Sequence, residues 1–208
     1  RAAGTAPEDL HSLQRLNLHV RDRSFPKISS LDTTSLSACT ALQGLNLSYH
    51  WISHVTHVHA LASTLTELNL AENHITEISS ELCSLTRLQL LNLSGNRIRC
   101  IPVEISALQE LVSLRMSRNT IDTVQDIENL TGLSKLIKLR IDNNPIALHE
   151  NTRVYVLSIL TQLQSLDGQV VGVMEQDSRR RPHHHQQQTP QTQTNEHTPH
   201  GSSSSFDA

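Results

Sequence analysis

Leucine and isoleucine recur along this chain at fixed distances, with mostly polar residues between them. The recurring pattern is LxxLxLxxNxI, in which x is usually polar. Regular copies begin at Leu42, Leu65, Leu88, Leu111 and Leu136, and a weaker copy begins at Leu13. The first four regular copies start twenty-three residues apart, and the last follows after twenty-five. A nearly constant period of this length indicates stacked structural repeats.

Each copy predicts a short strand, a tight turn and a return segment. In the xLxL part the alternate leucines point to one side, which is the period of a strand with one buried face. The asparagine of a copy, such as Asn96, lies where the chain must turn, and its amide can satisfy unpaired backbone groups. Apolar residues from Ile98 to Leu108 then recur three and four residues apart, which favours a helical or 3₁₀ return. We therefore predict an α/β fold: a curved solenoid with short parallel strands on the concave face and short helical or 3₁₀ returns on the convex face.

These copies resemble a known family, the leucine-rich repeat proteins, in the intracellular short-repeat class that includes the regulator subunit of type-1 protein phosphatase. The segment NPIALHENTRVYVLSILTQLQSLDGQVV, from Asn144 to Val171, resembles the carboxy-terminal cap of that class. Its matching residues are Asn144, Pro145, Arg153, Leu157, Leu160, Leu163, Leu166, Asp167 and Gly168. Within the class, Ile101 to Val103, Gln125 to Ile127 and Gly168 to Val171 are similar to the amino-terminal repeats of centriolin-related centrosomal and ciliary proteins.

The distribution of leucine divides the chain into segments. Residues 13–146 carry about six repeats, of which the first is irregular, and residues 147–171 form the predicted cap. Residues 1–12 are expected to be the end of an earlier repeat. No leucine follows Leu166, and residues 172–208 are rich in His, Gln, Ser and Thr, which predicts a disordered tail.

Charge and cysteine content narrow the classes of function. The formal net charge of -3 gives no global argument for binding nucleic acid or an acidic membrane. Three cysteines without CxxC spacing favour reduced thiols in the cytoplasm, with the nucleus as the alternative. There is neither an apolar run of membrane-spanning length nor a signal-peptide pattern at the start of the sequence, so no membrane association is expected. The resemblance adds the centrosome, basal body or cilium as an expected location.

No motif predicts an enzyme. The sequence lacks a Gly-rich phosphate loop, an HExxH or CxxC site and a GxSxG elbow, so we expect no catalytic residues and no cofactor. His50, His54, His57 and His59 lie close enough in sequence to suggest zinc ligands. His50, however, takes a turn-asparagine position and His59 a return position, which favours structural or solvated roles and no metal site.

The strand residues that point away from the core predict a protein-binding surface. Its central lane, defined as the residue between the two leucines of the LxL part of each repeat or its equivalent, begins neutral and ends positive. This lane comprises Asn17, Asn46, Asn69, Asn92, Arg115 and Arg140. The other candidate residues are Tyr49, Trp51, Glu72, Arg118 and Lys138. An exposed Trp near a Tyr is a typical interface anchor. The alternative is that Trp51 folds over the solenoid edge and that Arg115 pairs with a neighbouring acid.

The preferred function is a non-enzymatic scaffold that binds a protein partner, through an acidic segment of that partner, on the concave face. The resemblance also implies two alternatives: a targeting subunit for type-1 protein phosphatase, and a protein component of a spliceosomal ribonucleoprotein. Aromatic and basic surfaces on which bases could stack are lacking, so direct contact with nucleic acid is not expected. No small-molecule substrate is predicted.

Overall fold

Short strands lie side by side in chain order in a computed structural model, which describes residues 7–22, 26–30 and 36–172. Within that part of the chain they form one eight-stranded sheet. The strands are β1 Arg15–Asn17, β2 Gly44–Asn46, β3 Glu67–Asn69, β4 Leu90–Asn92, β5 Ser113–Arg115, β6 Lys138–Arg140, β7 Ser165–Leu166 and β8 Gln169–Val170. Strands β1 to β7 are parallel, and β8 pairs with β7 in the antiparallel sense.

Short helices return the chain between strands. The 3₁₀ helices are Pro7–Ser12, Val58–Leu61, Val103–Ala107, Val124–Leu130 and Pro145–Leu148. Two α-helices lie entirely within the described residues: α1, Ser80–Cys83, and α2, Thr152–Ile159. The two additional residues of the longer repeat step are taken up in the return, since Val124–Leu130 has seven residues where Val103–Ala107 has five. The predicted α/β solenoid, with parallel strands and short helical or 3₁₀ returns, is confirmed, and most of the described returns are 3₁₀.

The leucines of successive repeats stack into one continuous core. Leu68 pairs in register with Leu91, and Leu91 with Leu114, and none of the three is more than 2% exposed. A single repeat of this size encloses no volume, so each leucine is buried mainly by residues of the neighbouring repeats. Stability therefore depends on contacts between repeats and on protection of the two ends.

Asparagine side chains bond the turns of neighbouring repeats together. Asn96 is buried, and its Oδ1 accepts the backbone N–H of Ile75 at 3.0 Å. Its Nδ2 donates to the carbonyl oxygens of Leu70 at 3.0 Å and Leu93 at 2.9 Å. The same arrangement recurs at Asn73, Asn119 and Asn144. The amide carries both a donor and an acceptor, which explains why asparagine occupies this position.

The predicted cap closes the carboxy-terminal edge of the sheet. Asp167 and Gly168 have φ values of 54° and 81°, which suit a tight two-residue hairpin turn between β7 and β8. Oδ1 of Asp167 accepts the N–H groups of Ile141 and Asp142, and so replaces the carbonyl that a further strand would offer to Ile141. Burial raises the pKa of the Asp167 carboxyl, while those two hydrogen bonds oppose the rise. The turn at Asp167 and Gly168 therefore satisfies backbone groups that an open sheet edge would leave unpaired.

Two predicted segments lie wholly or partly outside the residues that the structure describes. The predicted tail lies outside them, except for Gly172, and so do residues 1–6 of the segment expected to end an earlier repeat. The boundary between repeats and cap, at 146 and 147, remains a prediction.

Candidate protein-binding face

The residues of the central lane lie in register across six strands. Pairing aligns Asn17 with Asn46, continues through Asn69 and Asn92, and ends on Arg115 and Arg140. Neighbouring strands are about 4.8 Å apart, so the lane is a continuous row with one side chain per strand. The residues directly before and after each lane residue are mostly leucines that point into the core. The lane side chains are therefore left on the concave face.

The lane asparagines have a fixed orientation. Oδ1 of Asn69 accepts the backbone N–H of Ala71 at 3.1 Å, and Oδ1 of Asn92 accepts that of Ser94 at the same distance. Asn17 and Asn46 make the equivalent bonds. Because an N–H group can only donate, the oxygen must face it, and the amide nitrogen is left for the groove. Sequence reasoning missed this orientation, although the signal is simple: an Asn that ends a strand can accept the backbone N–H two residues further along the chain.

Three side chains at the carboxy-terminal end of the concave face form what we call the basic cluster: Arg115 on β5, and Lys138 and Arg140 on β6. All three are exposed, and Arg115 lies in register with Arg140. No hydrogen bond or ion pair within the described ranges engages any of them. The nearby carboxylate of Asp142 accepts the hydroxyl of Ser117 and the amide of Asn143.

Arg118 was expected to join these cations, but the structure pairs it with Glu72. The two residues are separated by an intervening repeat, whose equivalent position is Gly95. A Cβ at Gly95 would collide with the Glu72 carboxylate, so the glycine makes the crossing possible. Arg15 reaches Glu67 at 2.7 Å in the same way, over Gly44.

Tyr49 and Trp51 lie at the end of the face near β2, on the turn that follows that strand. Tyr49 has a φ of 65°, packs edge-to-face against His19 with ring centroids 5.0 Å apart, and lies below the guanidinium of Arg21. Trp51 is 59% exposed, and its backbone N–H donates to the carbonyl of Ile28. Tyr49 is therefore fixed by its neighbours, while the indole of Trp51 is accessible to a partner.

The groove also contains an apolar side chain that sequence reasoning missed. Leu90 is 42% exposed and lies on β4 between Glu67 and Ser113 in register. Its signal was visible, since Leu90 occupies an x position of LxxLxL, where the side chain cannot enter the core. Leu90 thus offers a hydrophobic contact beside the central lane.

The buried His50 ring and the buried Cys83 thiol have structural roles. His50 takes the turn-asparagine position: Nδ1 accepts the N–H of Ile28, so the other ring nitrogen carries the proton and donates to the carbonyl of Leu18 at 2.7 Å. Burial, reinforced by the charges of Lys27 and His19, lowers the pKa of His50, while the bond to Leu18 opposes this. Burial, with a smaller effect of Glu104, raises the pKa of the Cys83 thiol to about 11, which keeps it protonated.

His54, His57 and His59 form no metal-binding group with His50 within the described residues. His54, His57 and His59 are exposed, and His59 lies 3.6 Å from a carboxylate oxygen of Glu81 in the next repeat. Among the described residues, no group of three or more His, Cys, Asp or Glu side chains is placed to hold a metal ion. In the same residues, no helix has the length and apolar content to cross a membrane.

The chain belongs to the leucine-rich repeat family. The sequence pattern of that family, described as a leucine-rich repeat region, matches residues 19–186. None of the curated proteins matches this chain. Leucine-rich repeat proteins are typically protein-interaction modules that offer a concave surface to a partner.

Solved structures have the same fold. A leucine-rich repeat protein of Leptospira interrogans is similar with a TM-score of 0.64 and 25% identity, over 76% of this chain and 38% of that one. The internalin InlF of Listeria monocytogenes is similar with a TM-score of 0.56 and 27% identity, over 68% of this chain and 38% of that one. The functional domain of InlJ, also from Listeria monocytogenes, has a TM-score of 0.57 and 23% identity, over 80% of this chain and 33% of that one. This chain thus spans less than two fifths of each.

Proposed function

We propose that this chain is a non-enzymatic scaffold that binds a protein partner on its concave face, and that an acidic segment of the partner contacts the basic cluster. The observation that carries this proposal is the absence of internal partners for Arg115, Lys138 and Arg140 within the described residues. Cations held this close repel one another, and an acidic ligand relieves that repulsion.

The acidic residues of the concave face support placing the acidic segment of the partner at the basic cluster. Glu67 and Glu72 are each neutralised by an arginine from another repeat, so neither competes for the basic cluster. The exposed indole of Trp51 lies near β2, several strands away. We therefore propose a partner that extends along the solenoid, with its acidic part over β5 and β6 and an additional contact at Trp51.

A double charge reversal tests the proposal. Replacing Arg115 and Arg140 by Glu is expected to slow association with the partner and to reduce its salt dependence, because steering by opposite charge is lost. The fold should persist, since both side chains are exposed. The matched control reverses Arg87 and Arg99, which are also exposed but lie outside the strands.

The readout is quantitative capture of cross-linked proteins from cells that express the tagged full-length chain. A protein recovered with the wild type and with the control, but reduced at least tenfold with the double reversal, supports the concave site. Equal recovery with all three variants contradicts it. In that case a loss of recovery on Trp51→Ala would assign binding to the other end of the face.

We also propose that this scaffold acts in a centrosomal, basal-body or ciliary assembly. The support is the similarity of the cap, from Gly168 to Val171, and of two shorter stretches to centriolin-related proteins. Fluorescence microscopy of the tagged chain with a centriole marker tests the location. Binding of purified type-1 phosphatase, measured by titration, would instead favour the phosphatase-targeting alternative, and recovery of spliceosomal proteins would favour the ribonucleoprotein alternative.

A further inference from the structure

Each amide oxygen of the central lane already accepts a backbone N–H, so the groups that the lane directs into the groove are hydrogen-bond donors. Each of Asn17, Asn46, Asn69 and Asn92 uses its oxygen on a backbone N–H and directs its nitrogen to the groove. Arg115 and Arg140 continue the row with guanidinium groups, which only donate. A matching ligand must therefore present a row of acceptors with the same repeat distance as the strands.

The repeat distance selects the conformation of that ligand. Six lane residues at about 4.8 Å per strand span about 24 Å. Side chains on one stripe of an α-helix are about 5.4 Å apart. Over five intervals they fall out of step with the lane residues by only about 3 Å, and side-chain flexibility absorbs this difference. Side chains on one face of an extended strand are about 6.7 Å apart. Over the same five intervals they fall out of step with the lane by about 10 Å, which is two lane positions.

We infer that the concave face binds an α-helix of the partner that runs across β1 to β6 and presents Asp, Glu, Asn or Gln oxygens once per turn to the central lane. Carboxylates lie over Arg115 and Arg140, where the donors are charged and bonds are stronger. An apolar side chain on the neighbouring helix stripe contacts the exposed part of Leu90. This inference rests on the proposed function and adds the conformation and chemistry of the partner segment.

Synthetic peptides test the helical register. The striped probe is an alanine-rich peptide of about 18 residues with Glu at i, i+4, i+7 and i+11, so that all carboxylates share one face. The scrambled probe has the same composition with the Glu residues spread around the helix. The third probe is the striped peptide with a central proline, which breaks the helix at nearly unchanged charge.

Fluorescence anisotropy gives the affinity of each peptide for the full-length chain. The striped peptide should bind at least tenfold more tightly than the scrambled and proline peptides. Equal affinity of striped and scrambled peptides would show that charge alone decides and would overturn the inference. Equal affinity of the striped and proline peptides would show that binding does not need a helix, and it would overturn the inference.

Lane variants test the donor row directly. In a double Asn69→Asp and Asn92→Asp variant, an oxygen still accepts the N–H groups of Ala71 and Ser94, but the groove-facing donors are lost. This variant should bind the striped peptide at least tenfold more weakly. Asn151→Asp, which makes the same type of charge change at an exposed position before α2, should bind like wild type. Unchanged affinity of the lane variant would overturn the role of the lane.

The two proposals fail in distinguishable ways. If the scrambled peptide binds as well as the striped one, and both lose affinity on charge reversal of Arg115 and Arg140, the basic cluster stands and the helix inference falls. If no acidic peptide binds, while the captured partner is still lost on charge reversal, the helix inference falls and the proposed function stands. If charge reversal has no effect on peptides or partner, both fall.

Discussion

Substitution of a turn asparagine measures how strongly neighbouring repeats are held together. In Asn96→Ala, three hydrogen bonds disappear: one from the N–H of Ile75 to Oδ1 and two from Nδ2 to the carbonyl oxygens of Leu70 and Leu93. Asn96 is only 7% exposed, so the backbone groups that it satisfies are shielded from bulk solvent when the amide is removed. At about 1 kcal/mol for each bond, the free energy of unfolding should fall by about 3 kcal/mol. A loss of that size lowers the Tm of a domain of this length by about 6–12 °C.

Asn92→Ala is the matched control from the same repeat. Asn92 is partly exposed, and its oxygen accepts one N–H, from Ser94, at the surface of the groove where water can replace it. We expect a loss below about 1 kcal/mol. Equilibrium urea unfolding followed by circular dichroism, with thermal unfolding as a second measurement, compares the variants. Equal losses for Asn96→Ala and Asn92→Ala would refute the argument that burial and the number of bonds make the turn asparagine structural.

Three further perturbations have defined outcomes. His50 has a lowered pKa in the folded chain, so stability should fall as the pH drops from the unfolded histidine pKa of about 6.5 towards the folded value; His50→Asn should flatten this part of the profile of unfolding free energy against pH. If the substitution leaves the pH profile unchanged, His50 is not the source of the loss of stability at low pH. Deletion of residues 173–208 should leave the cooperative unfolding transition nearly unchanged, whereas deletion of 147–208 exposes the leucines of the last repeat and should cause aggregation, as detected by light scattering. A soluble, equally stable product of the longer deletion would contradict the cap assignment. Gly95→Ala should cost about 1–2 kcal/mol in thermal unfolding, because φ is +70° and the new Cβ collides with Glu72; Gly172→Ala, with no atom within 4 Å of its Cβ, is the control and should be neutral.

The fold was predictable because its repeat unit is short and local. The leucine pairs two residues apart identify the strands, and the asparagine after them identifies the turn. The assignment of a carboxy-terminal cap rests only on family resemblance. Periodicity cannot show that the Asp167 oxygen ends the ladder of backbone bonds by accepting the N–H of Ile141, because that bond joins groups 26 residues apart.

The sequence predicts which residues lie on the candidate face, but not which of them form ion pairs with one another. Alternation within each strand places Arg115, Lys138 and Arg140 on the concave side without any structure. The exposure of Leu90 could have been predicted on the same ground. The ion pair of Arg118 could not, because it needs a carboxylate two repeats away and a glycine between them.

The sequence by itself determined the period of the solenoid, the buried positions and the residues of the concave lanes, because each of these depends on side-chain direction within a few consecutive residues. Only the tertiary structure decided which charges remain free and which way each lane amide points. Glu72 and Arg118 are 46 residues apart in sequence, and they meet because stacked repeats bring them together over Gly95. Free charge and amide orientation are properties of the assembled face, since they depend on partners that stacking supplies.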